Sequence, residues 1–422
     1  MKVLIKNGHI IDPANNVNKI ADLLIENGKI AKINENISED YDEAIDAEGM
    51  YVAPGFIDPH VHLRDPGLTH KEDIITGTNA AAAGGFTGVA CMPNTKPVID
   101  NEETIKYILD KAKEAKAKVY PIASITKGMK GEEMNDFEAL YKAGAIAVSD
   151  DGRPVENAAM QQKAMETAES LNIPIISHCE DLKIINGGII NKGEVSEKLG
   201  IKGMDRTSED SITAREIAIA EGTNTSIHIA HVSTWGSVGI IRDAKARGVK
   251  VTCETAPHYM IFTDNELLCE NANFRMSPPL RTEKDRQAVV RGIADGTFDM
   301  IATDHAPHAP EEKADFRKAP NGIIGLETSF AAAYTALVSG KVISVNRLVE
   351  LMSTNPAKML RVKGGSLSVG ESADIVIFKE EKWTFTEDKI HSKSKNSPFI
   401  GMKFDGKVKY TLLNGNITYQ DK

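Results

Sequence analysis

Basic residues are outnumbered in this sequence: 50 Lys and Arg stand against 60 Asp and Glu, a formal net charge of −10. No block of them appears that could track a phosphate backbone, which excludes nucleic acid as a partner. Cysteine is scarce. Cys91, Cys179, Cys253 and Cys269 lie far apart, without a CxxC pair, and read as reduced thiols rather than a disulfide framework. Long apolar runs are missing too. None approaches the roughly 20 residues that span a bilayer, and the opening MKVLIKNGHIID alternates like a strand and lacks the layout of a signal peptide. The expected location is the cytoplasm, with no membrane association.

What remains is ample material for a core, with 41% hydrophobic and 26% charged residues. A chain of 422 residues exceeds the size at which one core keeps growing, so a large domain with an accessory one is expected. The accessory domain is visible at both ends. Segments such as KVLIKNGHIID and DLLIENGKIAKI, and in the tail ADIVIFK and GKVKYTLLNGNITYQ, read as antiparallel β with Asn-Gly hairpin turns. We therefore expect residues 1–53 and 357–422 to form one small β-sandwich. Between them, over 54–356, eight short β-rich runs alternate with helical stretches: 56–63, 88–93, 118–124, 145–150, 173–179, 225–232, 250–256 and 298–305. That alternation predicts an α/β fold, a (β/α)8 TIM barrel, whose functional groups gather at the carboxyl ends of its strands. Two segments, 180–206 and 306–324, carry no recognisable regular structure and are expected to be functional lids.

Histidine is also rare, 11 in all, yet IDPHVHLRDPG places His60 and His62 one residue apart. In a strand, positions i and i+2 share a face, so both imidazoles can converge on one point. Other ligand types fall at the same barrel end: Asp150 and Asp151 close the fourth strand, His178 the fifth, His231 the sixth and Asp304 the eighth. His228, an odd number of residues from His231, is expected to face the helices and to be structural. Four histidines with one or two aspartates suit Zn²⁺, one ion or a bridged pair, which takes imidazole nitrogen and carboxylate oxygen and leaves room for water. The implied chemistry is hydrolysis of an amide-like bond.

IDPHVHLRDPG, ATDHAPHAPEEK (302–313), SDDG (149–152), SHCED (177–181), IAHVST (229–234) and GLETSF (325–330) resemble the amidohydrolase superfamily, and within it the dihydroorotase family of the longer, aspartate-bridged type. The resemblance spans the chain. It implies that His60, His62 and Asp304 hold one zinc, that His178 and His231 hold a second, and that Asp151 bridges them, with Asp150 the weaker candidate. Many relatives bridge with a carboxylated lysine, and Lys142 is set back in the preceding helix. It further implies that Asp304 is the general acid/base, that Asn94 joins Arg64, which two residues past His62 should emerge on the metal side, in holding a substrate carboxylate, and that His308 and Ser277 contact the ring. The 306–324 segment is expected to approach the substrate and bring backbone groups near Gly322 to its ring. Ser277 departs from the family, which often has asparagine there. The implied substrate pair is N-carbamoyl-L-aspartate and L-dihydroorotate, in pyrimidine synthesis. An allantoinase or hydantoinase activity, or a non-catalytic scaffold for aspartate transcarbamoylase, are the rival readings. A homodimer and an association with the transcarbamoylase are compatible with each.

Overall fold

Eight strands of the first and last segments join in one sheet. The computed structural model describes residues 1–421. From the N-terminus come β1 (Lys2–Asp12), β2 (Val17–Glu26), β3 (Lys29–Asn34), β4 (Glu43–Asp46) and β5 (Tyr51–Pro54). The barrel follows, with β6 (Phe56–Val61), β7 (Phe86–Cys91), β8 (Lys118–Ala123), β9 (Ala147–Ser149) and β10 (Ile175–Ser177). A separate pair, β11 (Ile190–Asn191) and β12 (Gly203–Met204), precedes the last barrel strands β13 (Ile227–Ile229), β14 (Val251–Thr255) and β15 (Met300–Ile301). The tail adds β16 (Ile375–Thr384), β17 (Lys403–Leu413) and β18 (Asn416–Gln420).

In the terminal sheet β16 pairs antiparallel with β5, stitching the two ends of the chain together. Its inner face closes over a core of its own that includes Ile5, Leu23, Ile25, Ile375 and Leu412. The Asn-Gly pairs behave in two ways. Asn27-Gly28 and Asn414-Gly415 have positive φ at both positions and connect β2 to β3 and β17 to β18, as hairpin turns require. Asn7-Gly8 instead sits inside β1 at a register shift, where positive φ at Asn7 makes a bulge. The same local chemistry serves either geometry, so the expected hairpin at that point becomes one bent strand.

All eight expected barrel strands are present, in the order β6-β7-β8-β9-β10-β13-β14-β15, with parallel neighbours. The ring closes where Val61 bridges His305 in parallel and the His62 amide donates to the His305 carbonyl at 2.8 Å. Along β13 the faces alternate. Ile227 and Ile229 pack outward among helix residues such as Ile217 and Ile241, while Ala230 joins Ile57, Ile122, Ala147 and Ile176 inside the barrel. Ala357 and Leu360 from the helix Asn355–Leu360 pack against that interior group and plug the floor. Helix starts follow the expected chemistry: the side chain of Asn101 caps Glu102–Lys111 by accepting from the Thr104 amide, worth about 1 kcal/mol.

Residues 180–206 correct the expectation of irregular chain. They hold the helices Leu182–Ile185 and Glu194–Leu199 and the two-stranded β11–β12 sheet, elements too short to show a periodicity. Among the described residues no helix is long and apolar enough to cross a membrane.

Candidate metal centre and active site

The residues singled out at the strand ends meet around one carboxylate. Asp151, just past β9, places Oδ1 3.3 Å from Nε2 of His60 and 3.5 Å from both Nδ1 of His178 and Nε2 of His231; its Oδ2 is 3.4 Å from Nε2 of His62. Two groups able to hold a metal ion share it: His60, His62 and Asp151, and Asp151, His178 and His231. Asp304 stands on the first side, its Oδ1 3.1 Å from Nε2 of His62 and 3.6 Å from Nε2 of His60. All six are buried.

Several of these residues leave the strands in unusual backbone conformations. His231 has φ 31°, Asp304 φ 48° and Arg64 φ 60°, none of them glycine. Such strain persists where packing over-determines it and is concentrated at functional sites. For His231 it has a topological effect. The reversal breaks the two-residue pleat, so the parity that placed His228 among the helices fails. His228 lies inside the barrel, its Nε2 3.2 Å from Glu254.

The electrostatics are those of a preformed cation site. Burial alone pushes the Asp151 carboxyl up, but His60, His178 and His231 outweigh it and hold the group well below the usual carboxylate range. Asp304 is likewise raised by burial and brought far down by His62, His60 and His231. Oδ1 of Asp151 and Nε2 of His60 are buried with no hydrogen-bond partner although both point into the cluster. Lone pairs in that state have a natural occupant in a divalent cation, so the donor set fits one. Asp150 faces elsewhere: it accepts from the amides of Ile125 and Thr126 and from the Thr126 hydroxyl, which leaves Asp151 as the shared carboxylate. Lys142 is exposed and paired with Glu138.

Above the cluster lies a cavity of about 320 Å³ whose walls include Arg64, Asn94, Ser277, Asp304, His308 and Gly322. A larger cleft of about 770 Å³ on the terminal sheet, lined by Lys29, Lys363 and Asn414, contains none of these groups. Convergent polar chemistry, not size, marks the site. Arg64 is buried, its Nε donating to the Pro307 carbonyl at 3.2 Å and its Nη2 3.5 Å from Nε2 of His308, and its guanidinium lines the cavity. Burial lowers it to about 10, so it stays charged at neutral pH. Asn94 Oδ1 meets Nδ1 of His62 at 2.8 Å, so its carbonyl orients a histidine and its amide is the part left for a ligand. Burial, with Arg64 and Lys71 nearby, pushes His308 down to about 3; the neutral ring donates from Nε2 to the Asn321 carbonyl at 2.9 Å.

Two expectations for substrate contact are redirected. Gly322, at φ 137°, lines the cavity where a Cβ would come within 2.9 Å of Ala306, but its amide donates to Arg275 and its carbonyl accepts from Lys313 and Asn396. It shapes the wall and has no free backbone group for a ring. The Ser277 hydroxyl donates at 2.6 Å to Glu180, which in turn lies 3.0 Å from Nε2 of His178. Since Glu180 is buried and already has one unpartnered oxygen, Ser277→Ala should lower the unfolding free energy by about 1–3 kcal/mol. Chemical denaturation reads that loss; unchanged stability with a raised KM would return Ser277 to direct substrate contact.

Three supporting residues escaped the sequence reading. Glu254 and Glu180 hold the far sides of His60 and His178. The signal was a lone glutamate inside an apolar strand run, VTCETA, and another two residues after His178. Asn396, from an excursion between β16 and β17, accepts from the His308 amide and donates to the carbonyls of Ala306 and Gly322, bracing the 306–324 loop. No local pattern marks it.

Comparison with known proteins agrees first on the class. The model described as Dihydro-orotase-like matches residues 49–237, and the one described as Amidohydrolase family matches 218–419. The solved dihydropyrimidinase from Brevibacillus agri superposes with a TM-score of 0.86 at 25% identity, covering 99% of this chain and 95% of that one. At the sequence level the match is closer. A dihydroorotase of Acetivibrio thermocellus is 49% identical, covering 100% of this chain and 99% of its own length. One from Geotalea daltonii is 50% identical and fully covered on both sides. The chain belongs to the dihydroorotase family.

Proposed function

We propose that this protein is a zinc-dependent dihydroorotase, interconverting L-dihydroorotate and N-carbamoyl-L-aspartate in the cytoplasm. One observation supports it above the others: a buried arginine faces the same small cavity as a carboxylate shared by four imidazoles. His60, His62 and Asp304 would hold one ion and His178 and His231 the other, with Asp151 between them. When bound, such ions lower the pKa of water toward about 7 and withdraw charge from a carbonyl oxygen.

The chain's own groups do the rest. Arg64 and the Asn94 amide hold the substrate carboxylate, which fixes the ring over the cluster. His308 contacts the ring, and Gly322 with the 306–324 loop closes the wall behind it. In the hydrolytic direction water adds to the ring carbonyl carbon. Asp304 accepts the proton that water gives up and passes it to the ring nitrogen as the carbon–nitrogen bond breaks. In the reverse direction the same carboxylate removes that proton from the ureido nitrogen. The domain division that goes with this is 1–53 plus 357–422 for the terminal unit and 54–356 for the barrel.

Turnover of L-dihydroorotate, dihydrouracil, hydantoin and allantoin by zinc-loaded protein tests the assignment. Dihydroorotate is expected to be preferred. A chelator should abolish activity and lower the unfolding midpoint, and added zinc should restore both. Preference for an uncharged ring would favour the hydantoinase reading, and protein without zinc or turnover would favour the scaffold. Light scattering with and without aspartate transcarbamoylase reads the homodimer and the complex.

A further inference from the structure

The hydrogen bonds of His60 continue through the barrel interior, away from the cavity. Nδ1 of His60 lies 2.8 Å from Oε1 of Glu254. The other oxygen of Glu254 lies 3.2 Å from Nε2 of His228, and Nδ1 of His228 lies 2.8 Å from the Thr252 hydroxyl. His60, Glu254 and His228 are 0%, 1% and 2% exposed. Thr252 and Glu254 are two apart on β14, so they share its inner face, and His228 pairs with Thr252 across from β13.

The chemistry of the chain assigns its protons. Each oxygen of Glu254 meets an imidazole nitrogen, at 2.8 and 3.2 Å, and a carboxylate in that position offers acceptors only. Each imidazole must then aim an N–H at it. For His60 this puts the proton on Nδ1 and leaves the lone pair on Nε2, the atom that faces Asp151 and has no hydrogen-bond partner. For His228 the proton sits on Nε2, and Nδ1 accepts the Thr252 hydroxyl proton. Every polar atom of this line is paired except the one aimed into the cluster.

We propose that Glu254 and His228 are positioning residues that hold His60 with a bare Nε2 directed at Asp151, and so set the affinity of the His60–His62–Asp151 group for a divalent cation. The inference rests on the metal-centre reading above. A carboxylate behind a ligating imidazole fixes its tautomer and raises its basicity, and losing such a partner costs about 10–100-fold in metal affinity. The second group is held differently, since His178 leans on Glu180. The effect of Glu254 and His228 is therefore confined to one ion.

Zinc titration against a competing chelator tests this, with all variants built on His178→Ala so that the His60 group alone is read. Glu254→Gln keeps the shape and removes the charge; His228→Leu removes the donor to Glu254; His228→Gln restores a donor. Glu254→Gln and His228→Leu are expected to bind zinc about 10–100-fold more weakly than the His178→Ala protein, with His228→Gln recovering most of the loss. Circular dichroism of the metal-free proteins checks the fold, and if His228→Leu does not fold, Glu254→Gln decides alone. A parent that takes up no zinc would overturn the metal centre itself. A parent that binds zinc while Glu254→Gln binds as tightly as its background would overturn the relay. Equal weakening by His228→Leu and His228→Gln would reduce His228 to packing and overturn its positioning role.

Discussion

Replacing Asp304 by asparagine should reduce kcat for dihydroorotate hydrolysis by about 10²–10⁴, the range attributed to a positioned general acid/base. That corresponds to roughly 3–5 kcal/mol of transition-state stabilisation. Asparagine keeps the side-chain volume and an oxygen that can face His62, but it cannot carry a proton between water and nitrogen. The position is demanding in other ways. Asp304 is buried, sits at positive φ, and is held as an anion against burial by His62, His60 and His231. The isosteric change therefore separates proton transfer from packing better than alanine would. KM should move little, because Arg64, the carboxylate anchor, is untouched; since Asp304 would also help hold one ion, the rates are compared at saturating zinc with the bound metal measured alongside. Steady-state rates paired with metal analysis read all three. A variant with zinc in place and kcat within tenfold of the parent would remove Asp304 from the proton path.

Much of this site can be read in the sequence because a parallel barrel buries both faces of its strands. Each strand is then a short apolar run, and a polar residue at its carboxyl end stands out. His60, His62, His178, His231 and Asp304 were legible for that reason. Their partners were not. Glu254 lies 194 residues from the ring it holds, and Asn396 lies 88 from His308, so only the closed ring and the returning tail bring them together. His228 misled because period-two reasoning assumes an unbroken pleat, and the positive φ of His231 breaks it at the strand end. The strands β11 and β12 are two residues each, below the length at which alternation has any meaning. Asn7-Gly8 could signal either turn or bulge, and only pairing with β2 on both sides of it decides.

Arg64→Ala should lower kcat/KM for dihydroorotate by about 10²–10³, mostly through KM. Two charge-assisted hydrogen bonds to a carboxylate in a dry cavity contribute about 3–4 kcal/mol between them. The protein as a whole repels its substrate, with a net charge of −10, so attraction has to be local. Arg64 is well suited to supply it. Its guanidinium is buried, remains charged at neutral pH, and spends Nε on the Pro307 carbonyl, which fixes the orientation of the remaining fork. A buried cation that lines a cavity wants an anion there, since desolvating it unpaired is costly. The effect should depend on the substrate. Dihydrouracil has no carboxylate to lose, so its turnover should change far less, and the preference for dihydroorotate over the uncharged ring should shrink by about the same 10²–10³. Arg64→Lys should recover only part of it, because an ammonium is a point charge and cannot match a carboxylate with two parallel bonds. Parallel kinetics on the two rings are the measurement. Should Arg64→Ala keep the parental KM for dihydroorotate, the substrate carboxylate must be held by some other group, and the reading of this cavity as built for an acidic ring fails.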